Sequence, residues 1–215
     1  VNSKYEEILG EEVSFAKLVL QEELIFDFCC ELDDGKMAGV VALVTHSKRV
    51  VQLRSLSLEG SKLVTAEAWE KALTEMLTKG SLTILSDLNL GGCGIGIKGG
   101  AVIAEALRVS SSLTSLDVSH TRIGKKVALE LVSIFKEKQM TSVGLGGCDL
   151  GPDGGKVVAE YVSVSSSLTY LDVCESSITD DGAQQLAAAV LGNQTVEIFC
   201  YIPLKELRVG NLTTL

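Results

Sequence analysis

Aromatic side chains make up only 5 % of this 215-residue chain, which also holds just two prolines and two histidines. So few rings suit small, repeated packing layers better than a core anchored on large aromatics. With so little proline and no low-complexity stretch, no linker divides the chain. Long apolar runs are missing too: Ala38 to Val44 contains Gly39 and then gives way to polar residues, so no segment is read as spanning a membrane. No signal-peptide pattern opens the sequence. Base is not in excess, so there is no basic stripe to displace counterions from nucleic acid. The six cysteines (Cys29, Cys30, Cys93, Cys148, Cys174, Cys200) lack CxxC spacing and histidine companions, and no metal or cofactor site is read from them. All six thiols are expected to be unbridged, in a reducing, cytoplasmic compartment. The sequons Asn193-Gln-Thr195 and Asn211-Leu-Thr213 would matter only in a secreted chain.

What is present is an apolar content of 46 %, rich in Leu, Val, Ala and Gly, enough for one domain with a sizeable core. The net charge of −9 is unevenly spread. Residues 1–34 hold ten acids against Lys4 and Lys17, and the rest of the chain is nearly neutral.

Self-similarity settles the architecture. The pattern L-x-x-L-x-L recurs at Leu53-Leu56-Leu58, Leu85-Leu88-Leu90, Leu113-Leu116-Val118, Met140-Val143-Leu145, Leu168-Leu171-Val173 and, weakly, Val196-Phe199-Tyr201. The starts lie 32, 28, 27, 28 and 28 residues apart. After each motif stands a small polar residue and then an apolar one: Ser61/Leu63, Cys93/Ile95, Thr121/Ile123, Cys148/Leu150, Ser176/Ile178. Helical periodicity follows, as in Ala101, Ala104 and Leu107, or Ala183, Leu186, Ala187 and Val190. Glycines 99–100, 154–155 and 182 stand near the helix starts, and Pro152 suits a first helical position.

A longer period lies above this one. Gly91-Gly92-Cys93 recurs as Gly146-Gly147-Cys148, Ser110-Ser111-Ser112-Leu113-Thr114 as Ser165-Ser166-Ser167-Leu168-Thr169, and Leu116-Asp117-Val118 as Leu171-Asp172-Val173. All three share one offset, which spans two strand motifs. The unit of duplication is a pair of unlike repeats.

Over residues 50–200 the chain resembles the ribonuclease-inhibitor-like leucine-rich-repeat family. The resemblance implies an α/β solenoid, a horseshoe with a parallel sheet on the concave side and helices on the convex side. Elementary packing agrees, because strands sit about 4.8 Å apart and helices about 8–10 Å apart, so stacked strand–helix units must curve. Strands are expected near 56–58, 88–90, 116–118, 143–145 and 171–173, in six repeats, or seven if a degenerate unit with Cys30 and Leu32 in the small-polar and apolar places is counted.

Residues 1–46 read as an acidic N-terminal cap holding that degenerate unit, with Tyr5 to Phe28 helix-rich; 47–203 as the repeats; 204–215 as a C-terminal cap or the start of a truncated repeat. The broken period at Leu204-Leu207-Val209 predicts an irregular cap or a pairing with a neighbouring chain. Two readings of this end stay open: a chain cut from a longer array, or a non-repeating cap.

Several motifs invite chemistry. Gly94-Ile-Gly96-Ile-Lys-Gly99 matches the dinucleotide fingerprint, with Asp117 downstream. The repeat opposes that reading: in the second copy Asp149 replaces Gly94, while Gly151 and Gly154 stand for Gly96 and Gly99. Cys93 and Cys148 occupy the small-polar place, two repeats and about 10 Å apart, too far for a disulfide. Cys174 and His120 are similarly separated and lack an orienting third group. Cys29 and Cys30 read as unrelated neighbours. No catalytic constellation emerges, and the chain is read as no enzyme.

Binding is argued from the concave face. With Leu116 and Val118 inward, side-chain alternation turns Ser115, Asp117 and Ser119 outward. The same phase gives rows Ser55-Ser57-Glu59, Asp87-Asn89-Gly91, Ser142-Gly144-Gly146 and Tyr170-Asp172-Cys174. From this small, mildly acidic face the residues expected to meet a protein partner are Glu59, Asp87, Asn89, Asp117, His120, Tyr170, Asp172 and Glu175. The function expected is a protein–protein interaction scaffold or recognition module. The alternative is an enzyme regulator, of inhibitor or GTPase-activating type, or the sensor region of a larger receptor.

Overall fold

A computed structural model of the chain describes residues 23–25, 32–46, 53–78 and 84–208. Most of the acidic N-terminal segment, Cys29, Cys30, the second sequon and residues 212–215 lie outside the described residues.

Each repeat opens with one apolar residue between two polar ones. Over three residues that alternation makes a short strand with its middle side chain inward. The strands are β1 (Glu23–Ile25), β2 (Ser55–Ser57), β3 (Asp87–Asn89), β4 (Ser115–Asp117), β5 (Ser142–Gly144), β6 (Tyr170–Asp172), β7 (Ile198–Phe199) and β8 (Ile202–Pro203). They form one sheet in chain order. From β1 to β7 every pairing is parallel, and the register aligns Leu24, Leu56, Leu88, Leu116, Val143, Leu171 and Phe199 in one row across the sheet. The strands end one residue before the third leucine of each motif. The ladder nevertheless continues through it, since Leu58, Leu90, Val118 and Leu145 donate backbone N–H groups to the next repeat.

Helices alternate with the strands: α1 (Asp34–His46), α2 (Ala66–Thr78), α3 (Gly96–Val109), α4 (Gly124–Phe135), α5 (Gly151–Val164), α6 (Asp180–Gly192) and the short α7 (Leu204–Arg208). Their buried faces complete one continuous core whose largest members are Trp69, Tyr161 and Phe135. Exposed ion pairs tie successive helices on the outside, Arg108 to Glu130 and Lys136 to Glu160, both at 2.8 Å. Such pairs contribute little to stability.

The two-repeat period is written into the packing. A Cβ on Gly99 would meet Ile95 at 2.5 Å, and one on Gly154 would meet Leu150 at 2.7 Å. On Gly100 it would meet Ile123 at 2.6 Å, and on Gly155 it would meet Ile178 at 2.5 Å. Gly99 and Gly154 make room for the apolar residue that opens their own helix, and Gly100 and Gly155 for the next repeat, so Gly99 of the fingerprint-like stretch is placed by packing. Ser112 donates to the Leu85 carbonyl and Ser167, its counterpart in the second copy, to that of Met140. Lys138 and Asn193, likewise counterparts, close the carbonyl ends of α3 and α5. Asn193 is the first sequon's acceptor, and its amide is fully engaged in this clasp.

Two places depart from the sequence reading. Residues 23–25, placed by their apolar content in a helix-rich cap, form a strand that extends the parallel sheet. At the other end β7 and β8 form an antiparallel hairpin, Ile198 opposite Pro203 and Phe199 opposite Ile202. Its two-residue loop, Cys200 and Tyr201, has φ of +47° and +65°, the primed-turn geometry that glycine and asparagine usually supply. Tyr201 therefore does not point inward as the weak Val196-Phe199-Tyr201 motif suggests, and is 70 % exposed.

Candidate functional site

Beside the sheet runs a ladder of small polar side chains. Ser61, Cys93, Thr121, Cys148 and Ser176 are all buried. Each donates to a carbonyl at the strand ends: Ser61 and Cys93 to Leu58, Thr121 and Cys148 to Val118, and Ser176 to Leu145. Ser176 also accepts from the Cys148 backbone N–H at 3.3 Å. Burial, aided by Asp117, pushes the Cys148 thiol up to about 12, so it is no nucleophile near neutral pH. Cys93, Cys148, Cys174 and Cys200 are unbridged.

The concave face carries Asn89, Asp117 and Asp172 in equivalent places, and all three do the same local task. Each accepts the backbone N–H two residues on, from Gly91, Ser119 and Cys174 at 3.0, 2.7 and 2.9 Å. Asn89 also donates to Glu59 at 2.9 Å, joining two predicted residues. Asp117 lies across Gly144: a Cβ there would stand 2.5 Å from its carboxyl carbon. The His120 ring lies across Gly147 in the same way, with Cε1 2.8 Å from where a Cβ would be. It reaches toward Glu175, Nδ1 to Oε2 at 4.0 Å. Glu59, His120 and Glu175 are exposed, and Asp87, Asn89, Asp117 and Tyr170 are half-buried.

Asp172 was expected on the open face, yet it is only 2 % exposed. The turn of the β7–β8 hairpin stands next to it. Tyr201 packs edge-on against Tyr170, ring centroids 6.2 Å apart at 76°, a favourable aromatic geometry. The Tyr170 hydroxyl bonds to that of Tyr201, and burial and this contact hold its ionisation above the ordinary range. Ile198, in register with Tyr170 and also exposed, adds apolar surface to this corner of the face.

The hairpin also brings Cys200 to Cys174. Sequence reasoning set Cys174 against His120 and found no partner for it. The structure places its thiol within hydrogen-bonding reach of the Cys200 sulfur and of the Asp172 carboxylate. Cys200 follows Phe199 in the sheet as Asp172 follows Leu171, and that neighbourhood is readable only once the register is known. The Cys174, Cys200 and Asp172 ligand atoms lie within 4.8 Å of one another. Tyr201 and Cys200 are thus the two site residues that the sequence reading missed.

Two segments of the chain, residues 109–128 and 164–187, match the family model described as leucine rich repeat, and with the alternating strands and helices they make the fold a leucine-rich-repeat α/β solenoid. No curated protein sequence matches the chain. Among solved structures, a tropomodulin C-terminal domain from Caenorhabditis elegans is 12 % identical, with 99 % of this chain and 98 % of that one covered and a TM-score of 0.49. A structure titled leiomodin-1 actin-binding site 2 is 14 % identical, with coverages of 80 % and 84 % and a TM-score of 0.42. At such identities neither says what this chain binds. Among the described residues no helix is long and apolar enough to cross a membrane.

Proposed function

We propose that this array of leucine-rich repeats is a protein-binding module and not an enzyme, and that its partner lies along the concave face from Glu59 to Glu175. The observation that carries the reading is the Tyr170–Tyr201 pair on a sheet face that none of the described helices covers, with Tyr201 70 % exposed beside Ile198. Tyrosines of this kind, rigid and half apolar, concentrate binding energy at interfaces. Around them Glu59, Asp87, Asn89, Asp117 and His120 form a polar, mildly acidic floor, with Asp172 as support beneath the tyrosines. That charge favours a partner segment carrying Lys or Arg beside an apolar anchor.

The finer kinship with the ribonuclease-inhibitor-like group belongs to this proposal. It is supported by duplication in pairs of unlike repeats, visible in the glycine and serine contacts that the two copies share. A reducing, cytoplasmic setting goes with it, supported by four unbridged thiols among the described residues.

Capture from lysate tests the surface. The parent chain is compared with Tyr201→Ala, Tyr170→Ala and Glu175→Lys, and with Lys126→Ala, an exposed residue of α4, as a control. Truncating a tyrosine anchor should weaken capture about 30-fold, since such anchors carry about 2 kcal/mol or more. Proteins lost from the concave variants and kept by the control support the assignment. Capture unchanged in both tyrosine variants overturns it.

A further inference from the structure

The thiol pair beside the tyrosines is not something the solenoid requires. In the earlier copy of the repeat pair, Ser119 fills the place of Cys174 and makes the same backbone bond to its aspartate. Glycine stands beside Asp117, at Gly144, where the last repeat sets Cys200 beside Asp172. Both exchanges replace inert groups with soft donors, and both fall around Asp172, a concave carboxylate that is only 2 % exposed.

We propose that Asp172, Cys174 and Cys200 form a binding site for a thiophilic divalent cation of the zinc class. The three ligand atoms lie within 4.8 Å of one another. Around a tetrahedral zinc, with bonds of about 2.3 Å to sulfur and 2.0–2.2 Å to oxygen, ligand atoms stand about 3.5–3.8 Å apart. A contraction of about 1 Å, within reach of rotamer adjustment, completes the set. Two thiolates and one carboxylate select zinc or another soft ion over magnesium or calcium, which need more oxygen ligands. Three protein ligands leave a fourth coordination position open. An open groove of about 420 Å³ lined by both cysteines, Glu175, Ile178, Leu186 and Phe199 gives the ion a path of entry. Burial and the nearby carboxylate keep both thiols protonated without an ion, so binding releases one proton from each sulfur as two metal–sulfur bonds form. The site would pin the left-handed turn at Cys200 and Tyr201 to β6, and it does not depend on the partner reading.

The test uses the full chain, reduced and washed with a chelator, titrated with Co²⁺ and then Zn²⁺. One Co²⁺ per chain should bind with sulfur-to-metal charge-transfer absorption and the visible bands of a tetrahedral site. Zn²⁺ should displace it, since thiolate ligands suit zinc, and about two protons should be released per ion. Cys174→Ser/Cys200→Ser should abolish the signal. Asp172→Asn should weaken binding by more than the roughly 10- to 100-fold that outer-shell changes cost. Cys29→Ser/Cys30→Ser should leave it intact, which excludes the vicinal pair as the source. If the double variant at 174 and 200 fails to fold by circular dichroism, Cys174→Ser decides, since serine already fills the equivalent place at Ser119. Absorption that survives the substitutions at Cys174 and Cys200, or is lost with the Cys29 and Cys30 pair, overturns the site. So does a chain that takes up no ion, or one whose Cys174 and Cys200 oxidise to a disulfide in place of metal uptake.

Discussion

Replacing Gly182 with alanine sets helix propensity against packing. Alanine in a helix is favoured over glycine by about 0.5–1 kcal/mol, so the sequence alone predicts a gain. In the structure a Cβ at Gly182 would sit 2.8 Å from the carbonyl carbon of Pro152 and 3.0 Å from its Cα, with the carbonyl oxygen closer still. The obstacle is backbone, so no rotamer change relieves it. Helices α5 and α6 must separate by about an ångström, and a gap of 0.5–1 Å forfeits roughly a quarter to a half of each contact's dispersion energy. Overpacking of this sort costs about 1–3 kcal/mol. Set against the propensity gain, the net loss should be about 1–2 kcal/mol, a fall in Tm of about 2–8 °C for a chain of this size. Gly192, at the end of the same helix, supplies the control: nothing lies within 4 Å of its would-be Cβ. Gly192→Ala should raise Tm by a few degrees. Thermal melts followed by circular dichroism compare the three chains. A Gly182→Ala chain as stable as its parent would refute the close approach of the two helices.

Ser176→Ala leaves the buried Cys148 N–H without its acceptor and should cost about 1–3 kcal/mol in urea unfolding. Ser176→Cys, which copies Cys93 and Cys148, should cost well under half as much; equal losses would mean that the ladder's hydrogen bonds are not what matters. Burial raises the Cys148 thiol from the ordinary 9.0 to about 12, so the unfolded chain ionises first. Its contribution is full below pH 9 and is lost as pH rises toward 12, with a slope of up to about 1.4 kcal/mol per pH unit. Cys148→Ser, a side chain already used at Ser61, should flatten the alkaline decline of stability by about that slope, and parallel declines would sink the assignment.

The repeat was legible because its determinant is local. A leucine between two polar residues, such as Leu56 or Leu116, reports an inward side chain wherever it stands, and its recurrence reports the register. The ladder residues were legible for the same reason. The strand at residues 23–25 was not, because Leu24 is followed by apolar Ile25 and Gln21 stands where the motif has its first leucine. The hairpin was hidden for a different cause: Cys200 and Tyr201 adopt left-handed backbone with none of the residues that advertise it. The burial of Asp172 and the meeting of Cys174 with Cys200 both follow from that turn, so one unreadable feature concealed the corner of the face where the sheet is most distinctive. Glu59 with Asn89, and His120 with Glu175, are contacts between neighbouring or next-neighbouring repeats, and the sequence could name these residues without pairing them.

The matched contacts of Gly100 with Ile123 and of Gly155 with Ile178 bear on how such a chain can change length. An excision of residues 100–154 would join the front of one repeat pair to the back of its copy. Gly99 would be followed by Gly155, whose partner Ile178 descends from the same surface as Ile123. The new junction would reproduce an interface that already exists. Removing a single repeat would instead press together two surfaces that never meet. Growth and shrinkage of this array are therefore quantised in steps of two, and recombination or design that respects the step should inherit working seams.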